Sequence, residues 1–363
     1  MYCPKCGFNL NDDNGVEVCP KCGAQLGESA EKKEKEAEVE KKKSGMKYAV
    51  AAAAVLGAGI LLLNSHFIEL TSETPVEESE PELGLRTVTV PYTNIENFTF
   101  LNETDIGEVE INDQTWRIGV GTFLGCENLN KIELPETVKS IGVGAFRGCV
   151  SLESIRIPEN VKHISDNVFE NCESLQDVYL PNGLEEIYTY AFRNCSSLES
   201  IKIPEGVTEI QESAFRDCRG LKYINLPKGI TKINYGTFLN CRNLERIKLP
   251  EGITEIEDYA FDGCSNLKDI NLPEGIIKIG KYALAGDMER IDLPEGLKEI
   301  GEGAFSGCSS LKNIYIPESV EKIELKAFEK AGGLSFETIT IPEKFIGAEC
   351  LKNLSESTEI IFY

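Results

Sequence analysis

The chain has 363 residues, with 37 Lys and Arg against 60 Asp and Glu, a formal net charge of −23. Residues 1–47 balance nine Lys with nine acids, so the whole excess lies in 48–363, where 51 acids face 28 bases. That balance disfavours nucleic acid or anionic lipid as partners, since both need clustered Lys and Arg, and equally serves solubility. Only two His occur, His66 and His163. No Cys–His or Ser–His–Asp set can be assembled by spacing, and no phosphate-binding glycine loop is present, so no enzyme is expected.

The N-terminus carries Cys-Pro-Lys-Cys-Gly twice, at 3–7 and 19–23. Cys3, Cys6, Cys19 and Cys22 form two C-x2-C pairs, the spacing at which four thiolates close on one structural Zn2+. Pro4 and Pro20 preset each turn, and Gly7 and Gly23 tolerate the positive φ that closes it. Two disulfides or a redox C-x-x-C site compete with this reading; the duplication favours zinc. A segment of about 25 residues buries too little core to fold alone, so the metal would supply the folding energy. Residues 1–27 resemble the short zinc ribbons at the N-termini of many bacterial membrane proteins. Lys5 and Lys21 are offset by Asp12, Asp13 and Glu17, which points to a structural or cytoplasmic protein-docking role rather than to nucleic acid.

Residues 28–47 are a charged linker without an apolar stripe. Tyr48–Leu63 then runs sixteen residues without a charge. At ~1.5 Å per residue it covers roughly 24 Å, and extension through Ile68 reaches the bilayer core of about 30 Å. Residues 48–68 are therefore expected to form a single transmembrane helix. A buried helix would find nothing to pack on between hydrophilic flanks, and no small-x-small cleavage site follows Leu63 to mark a signal peptide. Lys41, Lys42, Lys43 and Lys47 precede the span, whereas Glu69, Glu73, Glu77, Glu78, Glu80 and Glu82 follow it. Positive flanks stay inside, which places the ribbon in the cytoplasm and the remainder outside the cell. Residues 69–86, acidic with Pro75 and Pro81, read as an extended stalk. Residues 87–117 alternate in the β manner and are expected to cap the region that follows.

From 118 to 363 the chain repeats. Cys recurs at 126, 149, 172, 195, 218, 241 and 264, with a Phe three positions before each and a Pro nine after. A fixed 23-residue step is the mark of a solenoid. In the unit 198–220, Ile201 and Ile203 alternate inward with Lys202 outward. Pro204 ends the strand, Val207 and Ile210 enter from a second extended stretch, and Ala214, Phe215 and Cys218 are expected on a helical turn. Equivalent cysteines stack about one strand spacing apart, ~4.8 Å, so a disulfide ladder is conceivable. A ladder of seven leaves one thiol unpaired, and buried free thiols are the simpler expectation.

This unit closely resembles the BspA-like leucine-rich repeat of bacterial surface proteins. The resemblance implies a β-rich solenoid of parallel strands with short helical turns, exposed at the cell surface and binding host proteins or other cells. Two units depart from it: around Leu284 the spacing to Pro294 is two residues short, Cys is missing and Met288 takes the Leu place; the last unit has Phe336 for Leu and a shortened gap to Leu351.

Specificity would lie where the repeat varies. The middle outward strand position reads Glu133, Arg156, Tyr179, Lys202, Asn225, Lys248, Asn271, Asp292, Tyr315, and the neighbouring column adds Tyr223, Arg246 and Arg290. Tyr179, Lys202, Tyr223, Arg246 and Lys248 together make an aromatic and basic patch on an acidic array, a composition favoured at recognition hot spots; an ordinary solvated sheet face is the plainer alternative. The expected function is a membrane-anchored surface protein whose repeats bind an extracellular protein or glycan. The alternative is a transmembrane signalling or scaffold component that couples such a ligand to a cytoplasmic partner through the ribbon.

Overall fold

A computed structural model describes residues 84–329, 337–352, 354 and 356–363. The four ribbon cysteines (Cys3, Cys6, Cys19 and Cys22), the charged linker, the span at 48–68 and all but the last residues of the stalk lie outside the described residues. Among the described residues no helix is long and apolar enough to cross a membrane, and no group of His, Cys, Asp and Glu is arranged to hold a metal ion.

Most units contribute two short strands. The longer, three residues in most units, is represented by Ser200–Lys202, Tyr223–Asn225 and Arg246–Lys248; the shorter, two residues, by Glu186–Ile187 and Glu209–Ile210. All pairing is parallel and joins equivalent positions of successive units, as in Ile201↔Ile224↔Ile247 and Ile164↔Ile187↔Ile210. The strands stay short because the Pro that follows each longer one lacks the N–H needed to continue a ladder. Alternation does the rest: Ile201 and Ile203 are buried while Lys202 between them is exposed.

A third backbone ladder runs along the turns. Phe169 N–H donates to Ala191 O at 2.8 Å, and Phe192 N–H to Ala214 O at 2.8 Å, one unit onward. Here the structure departs from the expected helical turn. Ser213 and Asp217 adopt φ of 53° and 60°, and the bonds Arg216 N–H to Ser213 O and Cys218 N–H to Phe215 O close tight turns. Left-handed residues four apart break any helix. Among the described residues, 3-10 helix occurs at Glu343–Phe345 and Glu349–Leu351.

Within the core of stacked Ile, Leu, Val and Ala, two columns are nearly of one letter each. Eight Phe rings from Phe100 to Phe261 stack with centroids 5.3–5.8 Å apart, each contact contributing about 0.5–1.5 kcal/mol beyond the area it buries. Beside them the cysteines are free and buried. From Cys126 to Cys264 each Sγ–H donates to the carbonyl of the Phe one unit back, as from Cys149 to Phe123 O at 3.2 Å, Cys218 to Phe192 O at 3.0 Å and Cys241 to Phe215 O at 3.1 Å; Cys308 donates to Leu284 O at 3.3 Å. Those carbonyls already accept one N–H within their own turn, as Phe123 O does from Cys126. Cys thus fits because it is small, apolar and yet able to donate to the second lone pair. Burial pushes the thiols up, to about 11 at Cys126 and about 12 at Cys218.

The period also extends backwards into residues 87–117, the segment expected as a cap. Ile95, Ile118 and Ile141 pair in the 23-residue register, and Phe100 stacks on Phe123 at 5.3 Å. Thr115 stands in the place of Val138, fully buried, because its hydroxyl donates to Tyr92 O at 2.6 Å. Among the described residues Arg86–Val90 is the first strand, paired on one side with Ile106–Ile111.

Candidate functional site: the long-strand face

The longer strands line one face, and outward side chains are the first and third residue of each. Tyr223 lies beside Arg246 on the next rung, and Lys202, Asn225 and Lys248 follow one another. Tyr179 and Tyr223 are each 57 % exposed; Lys202, Arg246 and Lys248 are exposed as well. A groove of about 600 Å³ gathers Tyr223, Arg246 and Lys248 with Asn225, Asp269 and Asn271. Tyr179 and Lys202 do not line it; they sit on the two rungs before, where strand pairing between Asp177–Tyr179 and Ser200–Lys202 lapses.

The electrostatics of this face differ from those of its surroundings. Elsewhere, cations are mostly answered by carboxylates on the neighbouring unit, as in Lys162–Glu185 at 3.3 Å, Lys278–Glu255 at 2.7 Å and Lys298–Glu321 at 2.8 Å. At the rim of the groove Lys222 pairs with Glu199 at 2.8 Å, which raises its pKa. Among the described residues, Lys202, Arg246 and Lys248 make no ion pair and no side-chain hydrogen bond. Three cations, on the two rungs that flank Tyr223–Asn225, are left for something else to neutralise.

A second groove, about 660 Å³, opens on the same face among Arg290, Asp292, Lys312 and Tyr315. It follows the short unit, where the strand is reduced to a single bridge, Asp269↔Arg290. Its cations are engaged within the protein: Arg290 pairs with Asp292 at 2.5 Å, which raises the guanidinium pKa, and Lys312 pairs with Glu337 at 3.1 Å.

One half-buried aromatic cluster escaped the sequence reading. Tyr235, Tyr259 and Tyr282 form a line along a corner, with centroids 5.6 and 5.5 Å apart. Tyr259 and Tyr282 have φ of 58° and 50°, a conformation that costs a bulky residue roughly 1–2 kcal/mol. The ring of Tyr282 lies across Gly303, where a Cβ would come within 2.4 Å of it. The 23-residue spacing from Tyr259 to Tyr282 was the available signal.

Comparison with known proteins agrees with this architecture. The family model described as the BspA type leucine-rich repeat region matches at 93–220, 185–287 and 285–363. A leucine-rich repeat protein from Bacteroides ovatus is 30% identical, with 76% of this chain and 83% of that chain covered and a TM-score of 0.51. A leucine-rich cell surface protein from Faecalibacterium prausnitzii is 28% identical over 76% of this chain and 78% of that one, with a TM-score of 0.50. No curated protein matches the sequence. A 23-residue unit with parallel rungs, a Phe–Cys core and a family match from residue 93 to the last residue lead to one conclusion: the chain belongs to the BspA-type leucine-rich repeat family.

Proposed function

We propose that the protein is a single-pass membrane protein whose repeat array stands outside the cell and binds an external protein or glycan through the long-strand face, without catalysing a reaction. The observation that carries the binding reading is the set of unpaired cations, Lys202, Arg246 and Lys248, interleaved with the exposed rings of Tyr179 and Tyr223. An isolated acidic solenoid gains nothing from leaving them unanswered; Tyr loses little entropy when it becomes buried in a contact, and Arg is enriched at recognition hot spots. The F. prausnitzii neighbour is described as a cell surface protein, which supports the external placement, as do the Lys-rich flank before residue 48 and the Glu-rich flank after residue 68. On the inner side, Cys3, Cys6, Cys19 and Cys22 would hold one structural Zn2+, a reduced thiolate site suited to the cytoplasm.

Two measurements test this. Replacing Tyr179, Tyr223 and Arg246 together by Ala should abolish attachment of the purified protein to cells or matrix that retain the wild type; unchanged attachment sinks the face. Protease treatment of intact cells should remove residues 87–363 and spare the N-terminus, and the reverse pattern would overturn the topology.

A further inference from the structure

We infer, resting on the strand face as the recognition surface, that its ligand is a linear anionic glycan in which acidic and neutral sugars alternate. The third strand position reads, rung by rung, Arg156, Tyr179, Lys202, Asn225, Lys248, Asn271. A cation stands at every second rung, and a neutral hydrogen-bonding side chain stands between. The line is kept by the pairing Arg156↔Tyr179 and Lys202↔Asn225↔Lys248. Where pairing lapses, between Tyr179 and Lys202 and again between Lys248 and Asn271, the short-strand pairs Ile164↔Ile187↔Ile210 and Ile256↔Ile279 carry the same step across. Two rungs are roughly 10 Å, the length of one disaccharide in an extended β-linked chain.

The cations of the line are available. Lys202 and Lys248 have no carboxylate at ion-pair distance, and Arg156 Nε is 4.0 Å from Glu136, the limit of such a contact. Acids close the same column at both ends, Glu133 before Arg156 and Asp292 after Asn271. Between Arg156 and Asn271 lie five rung intervals, roughly 24 Å, room for about a hexasaccharide. Tyr179 and Tyr223 offer ring faces to the C–H surfaces of sugars, and Asn225 and Asn271 offer amides to their hydroxyls.

An acidic peptide fits this spacing less well. In a β-extended chain side chains alternate at about 3.3 Å per residue, so carboxylates on one side fall about 6.6 or 13 Å apart, not 10. A polyproline II chain returns to the same side every roughly 9 Å and is the peptide that matches, but it presents pyrrolidine rings where Asn225 and Asn271 present amides.

The test uses the full chain purified in detergent and titrated with a hyaluronan octasaccharide, in which glucuronate alternates with N-acetylglucosamine. Parallel titrations use the same octasaccharide reduced at its carboxyls, and the peptide (Glu-Pro-Pro)4. The acidic octasaccharide should bind at least about ten-fold more tightly than either, with affinity levelling off near the hexasaccharide. Lys202→Gln with Lys248→Gln should weaken it about five-fold or more, as expected for the loss of two exposed charge pairs. Lys228→Gln with Arg242→Gln removes the same charge away from the line and should change nothing. Equal binding of the reduced sugar, tighter binding of the peptide, or equal loss in the two double variants overturns the inference. If no probe binds while the Tyr179, Tyr223 and Arg246 variant still loses attachment to cells, the ligand class is wrong and the face stands; if attachment is also unchanged, both fall.

Discussion

The units from Phe123 to Cys264 and the unit around Leu284 follow one plan, yet two missing residues separate a core of stacked rings and thiols from one that is buried without them. In the regular units, Phe and Cys repeat without exception, and each thiol is buried against the carbonyl of the preceding Phe. In the short unit Leu284 replaces Phe and Asp287 stands where Cys would. Asp287 cannot take the thiol's buried place, and its side chain is 32 % exposed. It turns outward to accept the Lys268 ammonium, the Ser309 hydroxyl at 2.6 Å and the Ser310 N–H at 3.0 Å. The Phe stack, continuous up to Phe261, resumes only at Phe305–Phe328. A solenoid is held by neighbour contacts alone, so its stability is set locally and its weakest interface is where it divides.

That contrast breaks most sharply in the core. Phe192 stacks on Phe169 at 5.4 Å and on Phe215 at 5.3 Å. Phe192→Ala should cost about 3–5 kcal/mol, more than Leu284→Ala by about 1–2 kcal/mol because two ring contacts go with it. The smaller loss should have the larger effect on cooperativity. Urea unfolding of Leu284→Ala should separate into two steps, with the C-terminal part melting first, whereas Phe192→Ala keeps the weak interface where it was. A single transition for Leu284→Ala would show that the short unit transmits stability as well as its neighbours.

The Asp287 clamp gives a pH signature. Its partial burial would raise the carboxyl pKa, but the Lys268 ammonium and the Ser309 and Ser310 donors hold it down at about 2. A depressed folded pKa contributes stability above the ordinary carboxylate range and loses it as pH falls towards the folded value. The contribution, screened by solvent, is on the order of 1 kcal/mol. Asp287→Asn should therefore lower stability at pH 7 and narrow its difference from wild type between about pH 5 and pH 2. A constant difference across that range would mean that the clamp is hydrogen bonding without charge.

Thiol chemistry sharpens the same comparison without touching stability. Buried thiols with raised pKa are poor nucleophiles, so the array cysteines should stay unlabelled by iodoacetamide in the native protein. Asp287→Cys restores the missing letter, not the missing environment, and that one thiol should react. Chelator should expose Cys3, Cys6, Cys19 and Cys22 to label if they hold zinc; labelling of these four without chelator removes the metal from the reading.

Much of this was legible in the letters, for a physical reason. Positions that must be filled identically in every rung, such as Phe215 and Cys218, repeat as letters, and the period alone yielded both columns and the inward set Ile201, Ile203, Val207 and Ile210. What the letters hid was conformation. Ser213 and Tyr259 occupy the same left-handed position as Gly236, so no residue type marks the turn and a helix was the natural expectation. Thr115 hid the early units in the same way, being polar by letter and buried by virtue of one hydrogen bond. At the candidate site the outward columns were readable, but which cations lacked partners was not, since Lys222 and Lys248 look alike until Glu199 is seen beside only the first.

The smallest stability effect belongs to the strand face, and its smallness is the point. Tyr179 and Tyr223 are more than half exposed. Their strands are already tied through the neighbouring inward positions, Val178 paired with Ile155 and Ile224 paired with Ile201. Tyr179→Ala with Tyr223→Ala should therefore change unfolding free energy by no more than about 0.5 kcal/mol per site. A large aromatic ring that is nearly irrelevant to folding is free to serve the proposed contact with a ligand. Calorimetry on the double variant decides whether the rings serve the fold: a loss of several kcal/mol would make them part of the sheet, like Phe192, and an unchanged melting curve is what the proposed binding role requires.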